Sequence, residues 1–270
     1  MLAGALSYAG YQYFLLSDTL TSTESELAST TDKYASLVRM ASEVQTTLVA
    51  EQAKNGAFAS QITKISSTVG ALDKLAKTDK ELLAKYSKVY FLSEHYIPSE
   101  LSAIAPDYGY PVDKKLQIHT KVAPYLSSLM EAAKADNIDL RITSAFRSFA
   151  SQKSLKTSYT VTYGKGANAF SADQGYSEHQ LGTTVDFTTA SSNGALVGFE
   201  KTKANEWLTQ HAHEYGFVLS YPKANAYYQY EPWHWRFVGT RLATRLHQDE
   251  EYFYEIEQRE IDAYLVSLFD

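Results

Sequence analysis

The stretch SEHQLGTTVDF, residues 177–187, places a histidine and an aspartate seven positions apart on either side of one glycine. The residues after the glycine are rich in β-branched side chains, which predicts a strand that carries Asp186. Gly182 permits a sharp bend before that strand, because glycine has no Cβ. His179 and Asp186 could therefore point at one place although they belong to different local structures.

A second stretch, EPWHWRFVG at residues 231–239, predicts another strand. With a period of two residues, His234 and Arg236 face one side of this strand and the tryptophans face the other. That alternation fits a polar site backed by an apolar layer. Pro232 does not fit a regular strand, so Glu231 is expected in the turn that enters it, within reach of the same site.

Composition narrows the chemistry of such a site. The 270 residues include seven histidines but no cysteine, so any metal must be held by His, Asp or Glu. Histidine nitrogens and carboxylate oxygens are zinc ligands, and His179, Asp186 and His234 form the best candidate trio. The formal net charge is −6, and the sequence has no cluster of basic residues of the kind that binds nucleic acid.

The first third of the chain differs from the rest. All six prolines and all three tryptophans lie beyond residue 97, which predicts a separate helical, coiled-coil-like stalk over residues 1–92. Gly56 is expected to separate two helices, and Thr78 with Glu81 has the form of a capping box that opens a third. Two apolar stripes at helical spacing support this prediction. They comprise Leu20, Leu27, Tyr34, Ala41 and Leu48, and then Ile62, Ile65, Val69, Leu72 and Ala76.

The extreme N-terminus, residues 1–16, carries no charged side chain and is a candidate membrane anchor. As a helix it would rise only about 24 Å, short of the roughly 30 Å of a hydrocarbon core, and it lacks the basic start of a secretory signal. The alternative is the start of an ordinary amphipathic helix.

Residues 93–248 mix helical and strand patterns, which predicts an α+β domain with a small, largely antiparallel sheet and flanking helices. Residues 249–270 contain eight acidic side chains and one basic one, Arg259, with apolar residues at helical spacing. This tail is predicted to form an acidic amphipathic helix that docks on the domain or on the stalk.

The motif HAHEY at residues 211–215 contains metal-ligand residue types but does not form a zinc site. Position 217 is Phe, so the HExxH pattern of zinc helices is incomplete. On the predicted helix Trp207 and His211 share a face while His213 points elsewhere, which favours structural or exposed roles.

Four stretches in this order, SAFRSFASQ, GYSEHQLGTTVDF, WLTQHAHEYGFVLSYP and EPWHWRFVG, closely resemble the VanY-type D-alanyl-D-alanine carboxypeptidases, which have the lysostaphin, D-Ala-D-Ala peptidase and hedgehog-like zinc fold. The family motif S-x-H-x-x-G-x-A-x-D matches at Ser177, His179, Gly182 and Asp186, with Thr184 in place of the usual alanine. The E-P-W-H motif matches without change. The resemblance covers residues 141–239 and leaves out residues 1 to about 90.

The resemblance implies a zinc-dependent carboxypeptidase that removes the terminal D-Ala from peptidoglycan stem peptides, with water activated by zinc as the nucleophile. It implies Zn²⁺ on His179, Asp186 and His234, and Glu231 as the general base. Arg147, in an S-x-x-R motif, would support the substrate carbonyl or carboxylate. The resemblance also implies that Gln152 and Ser177 line the substrate pocket.

The sequence leaves other functional hypotheses open. An L,D-carboxypeptidase acting on tetrapeptide stems, a dipeptidase and a catalytically silent zinc-bearing binding module share the same motifs. A peptidoglycan substrate implies action in the cell envelope, outside the cytoplasm, with a membrane tether through the N-terminus. The helical stalk also predicts self-association.

Overall fold

A 76-residue helix, α1 (Leu2–Lys77), begins the computed structural model, which describes residues 2–77, 91–163 and 172–270. The chain divides into two compact units, residues 1–69 and 70–270. The boundaries predicted from the sequence, 1–92, 93–248 and 249–270, stay a prediction.

Helix α1 runs through Gly56 without interruption, so the predicted break there is wrong. A glycine inside a helix costs only about 1 kcal/mol relative to alanine, which the surrounding helix-forming residues tolerate. Because the helix is continuous, the two predicted apolar stripes share one seven-residue register: Leu48 and Ile62 lie two heptads apart. The third helix predicted after Thr78 lies outside the described residues.

None of the residues of α1 is buried in the single chain, and its apolar residues are exposed. No helix among the described residues has an apolar stretch long enough to cross a membrane. The expectation of an anchor over residues 1–16 therefore gains no support here.

The second unit contains a four-stranded antiparallel sheet, as the sequence predicted. Its strands lie in the order β3 (Arg141–Ser144), β4 (Thr184–Thr188), β6 (His234–Phe237) and β5 (Phe217–Leu219). A separate two-stranded antiparallel sheet pairs β1 (Leu101–Ala103) with β2 (Gln117–His119). The two central strands of the larger sheet are β4 and β6, which carry Asp186 and His234, two of the three candidate ligands.

Helices flank this sheet, which confirms the α+β prediction. They are α2 (Ala123–Ala135), α3 (Phe149–Tyr163), α4 (Lys203–His211), α5 (Thr240–Gln248) and α6 (Gln258–Tyr264). Helix α4 starts where the Thr202 hydroxyl accepts a hydrogen bond from the Asn205 backbone N–H, an N-cap contact of 3.1 Å. A short 3₁₀ turn follows α4 and ends at Gly216, whose φ of +81° reverses the chain into β5.

The core lies between the sheet and these helices and includes Phe187, Val185 and Phe237, all at or near zero exposure. The acidic tail packs onto the same core, since Phe253 and Ile261 are completely buried. Only residues 258–264 of the tail form an α-helix, and residues 249–257 run as turns and irregular backbone, so the predicted continuous helix is wrong. In this irregular stretch Phe253, Tyr254 and Ile256 are buried in the core.

Candidate active site

One cleft brings together all seven of the site residues named from the sequence. The cleft is lined by Arg147, Gln152, Ser177, His179, Asp186, Glu231 and His234, together with Leu155, Ala172, Leu196, Tyr221 and Trp233. The sequence therefore located the cleft correctly, while the chemical roles of its residues stay predictions.

The bend at Gly182 acts as the sequence suggested. His179 lies in a 3₁₀ turn, Glu178–Leu181, and Gly182 ends that turn with a φ of +70°. A Cβ at this glycine would approach the His119 backbone nitrogen to 3.3 Å, so a side chain would be both strained and crowded. Beyond the bend, Asp186 on β4 comes back beside the histidine, and the His179 Nε2 to Asp186 Oδ2 distance is 3.1 Å.

The pairing of β4 with β6 adds the third residue. Asp186 and His234 are directly opposite in the antiparallel register. Directly opposed residues of two paired strands have neighbouring side chains. The His234 Nδ1 to Asp186 Oδ1 distance is 3.1 Å, so the carboxylate lies between the two imidazole rings.

These three side chains fit a divalent metal. One ligand atom from each lies within 4.8 Å of the others, and all three residues are buried. The His179 Nδ1 donates to the Ala145 carbonyl oxygen at 2.7 Å, which leaves the lone pair on Nε2. That Nε2 is buried and makes no hydrogen bond within the described part of the chain. A cation bound between this nitrogen and the neighbouring carboxylate would satisfy the buried nitrogen. Two nitrogens and one oxygen form a ligand set that zinc uses.

Burial and the neighbouring charges shift the pKa values of all three residues. Burial lowers the pKa of His179 to about 4, and the nearby positive charge of Arg147 adds to the effect. Burial also opposes the charged form of His234, but hydrogen bonds to Asp186 and Glu178 outweigh it and raise the pKa of that histidine to about 9. For Asp186, contacts with the two histidines overcome burial and hold its pKa well below the usual range.

Glu231 lies at the edge of this set, in the turn that enters β6. Its Oε2 is 3.6 Å from the His234 Nδ1, and its side chain is mostly buried. Burial raises the pKa of Glu231 to about 7, although the positive charges of His234 and Arg147 act to lower it. A carboxyl group that titrates near neutral pH can accept and return a proton under physiological conditions.

The remaining predicted residues, Arg147, Gln152 and Ser177, also line the cleft. The Arg147 backbone N–H donates to the His179 carbonyl oxygen at 3.2 Å, and its Nε is buried without a hydrogen-bond partner among the described residues. Gln152 is buried and donates from Nε2 to the Ala172 carbonyl oxygen at 2.8 Å. Ser177 is buried beside them.

The sequence reasoning missed a buried layer behind His234. Glu178 accepts a hydrogen bond from the His234 Nε2 at 3.0 Å and forms an ion pair with Arg236. Tyr221 stacks on the His234 ring, with centroids 3.9 Å apart. Period two predicted that His234 and Arg236 share a face, but nothing local indicated that Glu178 joins them.

The HAHEY histidines lie outside the cleft, as expected. His211 contacts the Glu214 carboxylate at 3.3 Å and packs against the ring of Trp207. His213 stacks on His247 with ring centroids 3.7 Å apart, a pairing that no sequence pattern indicated.

An antiparallel sheet with a buried His-Asp-His set beside a glutamate is the arrangement of a hydrolytic metal site. Comparison with known proteins identifies the family. Residues 115–240 match the family described as VanY: D-alanyl-D-alanine carboxypeptidase. The chain belongs to this family of carboxypeptidases.

Two curated relatives extend that match. The chain is 32% identical over 191 residues to YodJ of Bacillus subtilis (strain 168), whose name places it among candidate carboxypeptidases, with 66% of this chain and 69% of the relative covered. It is 29% identical over 153 residues to a D-alanyl-D-alanine carboxypeptidase of Enterococcus faecalis (strain ATCC 700802 / V583), with 50% of this chain and 55% of the relative covered.

Among solved structures, the LD-carboxypeptidase LdcB, described in connection with peptidoglycan recognition, aligns with a TM-score of 0.56 and 31% identity. The alignment covers 63% of this chain and 82% of LdcB. The similarity to LdcB supports both the α+β fold and a carboxypeptidase.

Proposed function

We propose that the protein is a zinc-dependent carboxypeptidase that hydrolyses the terminal D-Ala of peptidoglycan stem peptides ending in D-Ala-D-Ala. The observation that carries the proposal is the convergence of His179, Asp186 and His234 next to Glu231 in one cleft. Membership of the carboxypeptidase family supports the same reaction.

His179, Asp186 and His234 would hold the metal through Nε2, a carboxylate oxygen and Nδ1. Zinc in such a set acts as a Lewis acid on a carbonyl and lowers the pKa of water toward neutrality. A cation held there would also lower the pKa of Glu231 from about 7, because opposite charge favours the carboxylate. Glu231 would then accept the proton of the attacking water and return it to the departing amine.

Arg147 would supply a positive charge within the same cleft. Its buried Nε has no protein partner in the described residues, so this donor is available to a substrate oxygen. A peptide with a free terminal carboxylate needs such a cation, since the carboxylate loses its water on binding. Gln152 and Ser177, which line the same cleft, are the proposed neighbouring contacts.

An L,D-carboxypeptidase acting on tetrapeptide stems is the second candidate. It is favoured by the 31% identity and the TM-score of 0.56 to LdcB, an LD-carboxypeptidase. The residues of the cleft named above do not distinguish the two substrates, because each offers a terminal D-Ala carboxylate to Arg147.

The test is D-Ala release from three substrates: a muramyl pentapeptide, the matching tetrapeptide, and free D-Ala-D-Ala. Each is assayed untreated, after chelation, and after zinc is added back. Zinc-dependent release from the pentapeptide supports the proposal, and release from the tetrapeptide alone replaces it with the L,D activity. Cleavage of the free dipeptide alone indicates a dipeptidase. Zinc binding without any release indicates a silent binding module.

A stem-peptide substrate implies action in the cell envelope, outside the cytoplasm, and we extend the proposal to that location. A tether through residues 1–16 is a further prediction. The tether is tested by fractionating cells that contain either the full-length chain or a chain without these residues. A tether predicts that only the full-length chain sediments with membranes.

Self-association through α1 is also proposed, with a second copy of the chain as the partner. Every seventh position from Leu6 to Ala76 is apolar except Asn55, and this register is continuous along α1. A single polar residue in such a stripe is a known means of fixing the register of paired helices. Sedimentation of the wild type should show a dimer that dissociates when Leu27 and Leu48 are both replaced by Asp. A wild-type monomer at all concentrations contradicts this.

A further inference from the structure

Glu178 is a completely buried carboxylate directly behind the candidate metal ligand His234. Its Oε2 accepts a hydrogen bond from the His234 Nε2 at 3.0 Å. Its Oε1 accepts from Arg236 at 2.7 Å, from the Tyr254 hydroxyl at 2.6 Å and from the Ser220 hydroxyl at 3.0 Å. Both oxygens of this acid are therefore satisfied by four donor groups, two of them from β6 and the others from Ser220 and Tyr254.

The pairing with Arg236 accounts for burying the charge but not for the contact with the histidine. A buried carboxylate without donors is strongly unfavourable, and the Arg236 guanidinium together with two hydroxyls compensates for its desolvation. The contact between Glu178 Oε2 and His234 Nε2 has a separate effect. Because a carboxylate oxygen can only accept a hydrogen bond, it keeps a proton of His234 on Nε2. The opposite nitrogen, Nδ1, then faces Asp186 at 3.1 Å.

We propose that Glu178 is a positioning residue for the metal, which acts through His234. It fixes the imidazole in the tautomer whose Nδ1 lone pair is directed at the metal, and its negative charge makes that nitrogen a stronger donor. Tyr221 supports the same orientation by stacking on the ring at 3.9 Å. This inference rests on the proposed zinc site.

The acidic tail contributes to the same layer. Tyr254 donates to Glu178, and the neighbouring Phe253 lies under the Arg236 guanidinium, 4.4 Å from it. Both residues come from the irregular part of the tail, before α6. The tail therefore helps to hold Glu178 and Arg236 in place behind the proposed metal ligand His234.

The test compares full-length wild type with Glu178→Gln, Tyr254→Phe and Tyr252→Phe. Tyr252 is an exposed neighbour without a contact to Glu178 among those described, so it is the matched control. Zinc affinity is measured by competition with a chromophoric chelator. The protonation of the His234 ring is followed by ¹⁵N NMR in both the metal-free and zinc-loaded chains. Circular dichroism of the metal-free proteins reports folding.

Glu178→Gln should weaken zinc binding about 10- to 100-fold, the usual effect of removing a carboxylate behind a ligating histidine. Tyr254→Phe should weaken it roughly two- to ten-fold, the effect of one lost hydrogen bond to the carboxylate. Tyr252→Phe should match the wild type. In Glu178→Gln, the Nε2 proton of His234 should also exchange faster with solvent.

A folded Glu178→Gln variant that binds zinc as tightly as the wild type and retains the same ring protonation would overturn the inference and leave the proposed function intact. If the wild type itself binds no zinc, the proposed function fails as well. If Glu178→Gln does not fold, Tyr254→Phe decides: unchanged zinc affinity in that folded variant rejects the role of the network.

Discussion

Helix α1 and the sheet-containing unit differ in how many of their side chains are buried. The helix has 76 residues and none of them is buried, whereas the second unit buries even charged side chains such as Arg236 and Glu178 completely. In α1 stability depends on backbone hydrogen bonds and exposed pairs such as Lys54 with Glu51, which contribute little. In the second unit it depends on packing and on buried ion pairs such as Arg236 with Glu178. The same substitution should therefore have very different consequences in the two regions.

The largest difference is expected for glutamates. Glu231→Gln should lower kcat/KM for the cleaved stem peptide by about 10²- to 10⁴-fold while zinc remains bound, because it removes the proposed general base. Glu24→Gln, on the exposed surface of α1, should leave the rate unchanged. Steady-state kinetics with metal analysis checks both. A Glu231→Gln variant that retains full activity would disprove the assignment of the base.

Phenylalanines give the next largest contrast. Phe187→Ala, at a position with no solvent exposure, should reduce the free energy of unfolding by about 3–5 kcal/mol, through lost burial and the cavity left behind. Phe14→Ala, at a position 67% exposed in α1, should change it by less than about 0.5 kcal/mol. Urea unfolding followed by tryptophan fluorescence reports on the second unit, and far-ultraviolet circular dichroism reports on α1. Equal losses for the two variants would contradict the comparison.

The buried site should also respond to pH. The pKa of His234 is raised to about 9, so below that pH a proton would occupy Nδ1, the nitrogen proposed as the metal ligand. Affinity for zinc should consequently rise with pH, by about tenfold per unit or ~100-fold from pH 6 to pH 8. Calorimetry in buffers of different ionisation enthalpy should also detect about one proton released per zinc bound near pH 7. An affinity that does not change over this range would contradict the loss of a proton from His234 on zinc binding.

The smallest effect is expected from removing most of α1. A chain without residues 2–69, the part that clusters as a unit of its own, should hydrolyse a short soluble stem peptide with a kcat/KM within about two-fold of the full-length value. A loss of more than tenfold, with the shortened chain folded, would mean that the helix contributes to the active site.

Much of the site could be predicted because its determinants are local. Gly182 allows the bend, β-branched residues form β4, and the alternation in β6 turns His234 toward the site. What was missed depends on contacts between distant parts of the chain. Tyr254 reaches Glu178 across 76 positions, and no periodicity records such a contact.

The two mistakes about helices have the same physical origin. Gly56 was expected to end a helix, but propensity is a weak preference that the rest of the helix overrides. The tail was expected to be one helix because its apolar residues recur at helical spacing. In the structure, burial of Phe253 at the core determines the path of the backbone over residues 249–257.

The position of Tyr254 matters for anyone who trims this protein for expression or grafts its catalytic part onto another chain. The family match ends at residue 240, and a fragment cut there would still include every residue of the cleft. It would lack Phe253 and Tyr254, and with them one donor to Glu178 and the aromatic cover of Arg236. Such a fragment should have a complete motif and an impaired candidate metal site, so the useful boundary lies beyond residue 240, where the family match ends.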